Sequence, residues 1–188
     1  LGPEHMRYIT YMSDIPEHNQ TVCPDRISAI LYIGDAPAYW LMHKPESGIR
    51  VIEDQIPGIC PTHASMMLRF AVPLIFGAID PLLMRIFGCG DPEVQCYHLL
   101  DLAAISSGTN WTIPGDQVGW PEEYGVWIAT LRAIASKLNR EEICCPHPES
   151  FPKSGLRSGG IWTAADVEMA LSRYASEMLR RSEEFKSR

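Results

Sequence analysis

Two short clusters of cysteine and histidine constrain this chain more than any other feature in it. One reads Cys60-Pro61-Thr62-His63 and the other Cys144-Cys145-Pro146-His147. Each offers a thiolate and an imidazole beside a proline turn, and two such pairs make the Cys₂His₂ set that holds a tetrahedral zinc ion. The middle of the chain separates the clusters by far more than the spacing of a zinc finger. A shared ion would therefore pin the long-range topology of the fold. The expected ligands are Cys60, His63, Cys145 and His147. Four protein donors leave no position for water, so such a zinc is structural rather than catalytic. The competing reading is that these cysteines are small buried hydrophobes and that no cofactor is bound. Cys96 and His98 are two residues apart on a predicted helix, point to different sides and make poor co-ligands.

Cys60 has a second reading. It lies just before a predicted helix start, where the helix dipole favours a thiolate, and His63 is within reach as its base. A small cysteine-dependent enzyme using Cys60 and His63 is thus an alternative. Against it, the chain has no phosphate loop, nucleophile elbow, HExxH or dinucleotide fingerprint. Its adjacent acidic pairs, Glu53-Asp54 and Glu122-Glu123, do not share a face of any regular element. The balance of these signs points away from an enzyme.

The chain punctuates itself with proline and glycine. Arg7–Met12, Arg26–Ile33, Ala38–His43 and Ile49–Glu53 are rich in β-formers or alternate apolar with polar, and turn signals separate them. They predict an antiparallel β-meander over about residues 7–53. Beyond Pro57-Gly58 the pattern becomes helical. Thr62 is the expected cap of a helix running to Ala71, just before Pro73. Asp80-Pro81 and Asp91-Pro92 each combine a cap with a proline in the first turn. Gly88 and Gly90 close the first of these helices, and the second is expected to run to Ser106 or Ser107. Pro121 opens the clearest amphipathic helix, with Tyr124, Trp127, Ile128, Leu131, Ile134, Ala135 and Leu138 on one face. Thr163 and Asp166 form an approximate capping box for the last helix, with Val167, Ala170, Leu171, Tyr174 and Met178 as its apolar face. The fold class that follows is α+β: a small N-terminal β-meander, then a bundle of about five α-helices. Residues 1–6 (Leu-Gly-Pro-Glu-His-Met) read as a protease-site remnant and cloning scar. Residues 7–188 read as a single domain with a sub-boundary near 57–60 and a loose linker over 144–160.

Composition bounds the partners. The formal charge is −7, and no segment carries the basic excess that nucleic acid or anionic lipid demands. The longest apolar run, Phe70 to Ile79, contains Pro73 and is too short to span a bilayer. Two sequons, at Asn19 and Asn110, would suit secretion. Six cysteines in a chain long enough to fold without staples instead favour a reducing intracellular setting, cytoplasmic or nuclear. What remains is an apolar and aromatic surplus: Met66, Phe70, Phe76, Phe87, Trp111 and Trp120. Such residues are enriched at protein interfaces as well as in cores. The leading expectation is therefore a non-enzymatic intracellular interaction or scaffold module that binds a protein partner or a second copy of itself. A zinc-stabilised structural or regulatory domain is the alternative.

Overall fold

The computed structural model describes residues 44–89, 97–108, 110–147 and 159–186. The fold among them is α+β, with five helices and one two-stranded antiparallel sheet. In chain order these are α1 (Pro45–Gln55), α2 (Pro61–Ala71), α3 (Pro81–Phe87), β1 (Ile105–Ser107), β2 (Asn110–Thr112), α4 (Glu122–Arg140) and α5 (Ala164–Lys186). β1 and β2 form a hairpin in which Ser106 faces Trp111. The strands expected over 7–43 lie outside the described residues.

Proline sets three of the helix starts. Pro45, Pro61 and Pro81 each occupy the first turn, where the missing N–H costs no hydrogen bond. At α3 the expectation holds in detail: the Asp80 carboxylate accepts from the Leu83 amide at 2.8 Å, and Gly88 closes the helix. At α2 the cap is Cys60 rather than Thr62.

Two predicted elements are corrected. Ile49–Glu53 is helical, not a strand, and Pro45-Glu46-Ser47-Gly48, one of the turn signals between the expected strands, is the first turn of that helix. The deciding period is Ile49, Ile52, Ile56, all buried at steps of three and four, and Glu46 adds a favourable charge to the first turn. Conversely, residues 97–104 are irregular rather than helical as expected, and lead into β1. Burial there alternates, with Leu100, Leu102 and Ala104 inside and Leu99, Asp101 and Ile105 outside. An apolar pattern that encircles a helix has no stripe to bury, so the same residues serve better at period two. The Gln117 side chain completes the segment: its amide accepts from Ala103 N–H at 2.7 Å and donates to Ala103 C=O at 3.1 Å.

The core lies where α4 packs on α1 and α5, and α5 packs on α3. Through its centre runs a buried segment without regular secondary structure, Phe76–Ile79, which joins no sheet among the described residues. Several of its backbone polar groups are met by side chains of three helices, as burial requires. Tyr124 donates to Gly77 C=O at 3.0 Å, and the Trp127 indole donates to Ala78 C=O at 2.9 Å. Ser65 accepts from the Ile79 amide at 3.0 Å, and the Glu168 carboxylate faces the Ala78 amide. Gly77 is required by contact, because a Cβ there would stand 2.3 Å from Leu131 Cδ1 and 2.9 Å from Glu168 Cβ. Beside this segment Arg69 Nε lies 2.7 Å from Glu168 Oε2, off the N–H axis, so the pair is an ion contact rather than an aligned hydrogen bond. Ser172 donates to the other carboxylate oxygen. Burial pushes the carboxyl of Glu168 up, and the Arg69 guanidinium only partly offsets it.

Candidate metal centre

The site forms where the chain leaves α4 and where α5 begins. α4 ends in a Schellman motif: Ile143 N–H donates to Leu138 C=O at 3.0 Å and Glu142 N–H to Asn139 C=O at 3.2 Å. The left-handed residue is Glu142, with φ 56°, where glycine is the residue without a Cβ penalty. Glu142→Gly is expected to stabilise the protein by about 0.5–1 kcal/mol in a urea titration. The turn sends the next residues back along α4. There the Asn139 side chain pairs with Trp162 through both its groups, at 2.9 and 2.8 Å, and the Trp162 indole donates to Ile143 C=O at 2.8 Å. Cys145 forms an antiparallel bridge with Gly160, its amide donating at 2.9 Å. The His147 amide then turns back onto Cys145 C=O across Pro146, at 2.9 Å. This tight turn brings both side chains to one side.

They meet the first turn of α5. Thr163 and Asp166 make the expected capping box. The Thr163 amide and hydroxyl donate to Asp166 Oδ2 at 2.9 and 2.6 Å, and the Asp166 amide returns to Thr163 Oγ1 at 3.3 Å. His147 Nε2 stands 3.4 Å from the same carboxylate oxygen. One donor atom from each of Cys145, His147 and Asp166 lies within 4.8 Å of the others. All three are enclosed, with the His147 side chain 6% and the Asp166 side chain 3% exposed. Neither imidazole nitrogen of His147 has a hydrogen-bond partner among the described residues.

A buried imidazole without hydrogen bonds costs about 1–3 kcal/mol for each polar atom left unsatisfied. A cation among these three donors removes that cost. A thiolate, a neutral imidazole and a carboxylate around a divalent ion also sum to zero charge, which suits an enclosed site. The positive end of the α5 dipole favours the two anionic donors.

The expected Cys₂His₂ set divides. Cys145 and His147 belong to the group just described. Cys60 and His63 form a separate pair at the start of α2, with Sγ 3.3 Å from Nδ1, and join no group of three donors among the described residues. His98 is exposed, 4.0 Å from Asp101. Asp166 is the donor that sequence reasoning passed over, because its cap role already accounted for it.

The six expected interface residues divide too. Phe76, Phe87 and Trp120 are buried in the core. Phe76 stacks on Tyr124, and Trp120 donates to Glu53 at 2.7 Å. Met66, Phe70 and Trp111 are half-buried. Phe70 and Trp111 pack against the core, and the Trp111 ring lies 4.3 Å from the Arg85 guanidinium. Among the described residues, no helix is long and apolar enough to cross a membrane. No family model, no curated protein and no solved structure matches this chain.

Proposed function

We propose that this is a zinc-stabilised domain in which Cys145, His147 and Asp166 hold one ion and fasten the residues after α4 to the start of α5. The observation that carries the reading is the enclosed His147 imidazole, without a hydrogen bond at either nitrogen and facing a thiol and a carboxylate. Mixed sulfur, nitrogen and oxygen donors suit zinc better than the hard cations magnesium and calcium. The described residues supply three donors, so the fourth position falls to water or to another donor. Enclosure of the three side chains argues for a structural ion rather than a catalytic one. No observation specifically favours a protein partner, since half of the expected interface is core.

The test is metal analysis of protein purified under reducing conditions, with thermal unfolding before and after a chelator. About one equivalent of zinc per chain and a lower melting temperature after chelation are expected. His147→Ala and Asp166→Asn should each abolish the stoichiometric zinc, whereas Cys60→Ser should leave it in place. Protein that is fully folded without metal, and whose stability ignores both chelator and added zinc, would overturn the reading.

A further inference from the structure

The pair left outside the metal group has a chemistry of its own. Cys60 caps α2, and Pro61 at the first helical position has no N–H to offer. The first helix amides that face the sulfur are therefore those of Thr62 and His63. They act on it electrostatically without closing a cap hydrogen bond. His63 is the third residue of the helix, and from there a side chain reaches back to the cap. Its Nδ1 accordingly lies 3.3 Å from Sγ. Sulfur and imidazole stand where a capping box would have a hydroxyl and a carboxylate. Both side chains are half-buried, and Cys60 is a free thiol.

We infer that Cys60 and His63 form a reactive thiolate site that adds to activated alkenes. In the reaction the sulfur lone pair forms an S–C bond to the electrophilic alkene carbon. The π pair moves to the neighbouring carbon, and that carbon takes the proton held on His63 Nδ1. Nothing is oxidised, and the product is a thioether beside a neutral imidazole. His63 is the charged group that acts on the sulfur. Burial pushes the thiol up, but the contact and charge of His63 and the two amides outweigh it, so the net displacement is downward. His63 moves upward because its bond to Cys60 outweighs its own burial. Cys89 supplies the contrast within the same chain. It is exposed, yet partial burial and the nearby Asp101 push its thiol up.

The two thiols therefore rank oppositely by access and by charge. The experiment is limiting N-ethylmaleimide labelling of the whole chain over about pH 5 to 9, with Cys60 and Cys89 quantified by peptide mass spectrometry. Cys60 should label about tenfold or more ahead of Cys89 at and below neutral pH, with a rate midpoint below that of a simple thiol, about 8.5. His63→Gln, shown folded by circular dichroism, should raise the midpoint and erase the lead. Cys60 lagging Cys89 at every pH would overturn the inference from the unmodified protein alone, and so would an unchanged rate in folded His63→Gln. Metal content plays no part in this readout, so it stands apart from the zinc reading.

Discussion

Arg69→Met lowers the stability of this protein by about 3–5 kcal/mol at neutral pH, because it strands a buried carboxylate without its cation. Glu168 has 4% of its side chain exposed, and Arg69 is the ion that faces it. Asp80 loses the same neighbour, and burial already pushes its carboxyl up. The deficit carries a signature in pH. Both carboxyls have folded-state values above their unfolded ones, by burial first and despite Arg69. Such a group contributes stability when protonated, and that contribution is lost as the pH rises through the folded value. Removing Arg69 raises the folded values further. The gap between variant and parent should thus be widest near neutrality and shrink on acidification toward 4.5, the ordinary value for Glu168. Chemical unfolding of both proteins along a pH series measures it. A gap that stays constant with pH would mean that the lost arginine matters by packing rather than by charge.

Trp127→Ala is expected to cost a similar amount, about 3–5 kcal/mol, for a different reason. The ring is fully buried, tilted against Phe87 at 6.2 Å between centroids, and its N–H is the donor to Ala78 C=O. Alanine leaves both a cavity and a buried carbonyl without that bond. Trp127→Phe separates the two effects, since it fills most of the volume but offers no donor. Phenylalanine alone should cost about 1–3 kcal/mol in guanidinium unfolding, the share belonging to the hydrogen bond. A phenylalanine variant as stable as the parent would show that the carbonyl finds another donor.

Much of the helical half was legible because its signals are local. Asp80-Pro81 caps and starts α3, Pro121 precedes α4 with its expected buried stripe, and Thr163 with Asp166 opens α5. The errors arose where two periods fit the same letters. Ile49-Arg50-Val51-Ile52-Glu53 alternates, but the core takes Ile49 and Ile52, three apart. Leu99 to Ala104 looks helical by composition, but the core takes every second residue. On α5 the buried face includes Glu168 and Ala175, while Ala170 is exposed. No apolar pattern announces a buried glutamate whose partner, Arg69, comes from another helix. The candidate centre was half legible for the same reason. Cys145 and His147 stand out by spacing, whereas Asp166 joins them only through the tertiary approach of the chain to α5. Cys60 and His63 were visible as a pair, and that local pair is what the fold keeps.

The irregular segment at the heart of the fold has a consequence for how the molecule can come apart. Residues 77–79 borrow their hydrogen-bond partners from α2, α4 and α5 at once. The Ala165 amide, in the first turn of α5, in turn donates to Pro73 C=O at 3.1 Å. Withdrawing any one of these helices strands polar backbone in a dry interior, so no helix can open alone at low cost. α2, α4, the start of α5 and the segment they enclose therefore form one cooperative unit, and partial unfolding is expected away from it, for instance at the β1–β2 hairpin or the far end of α5.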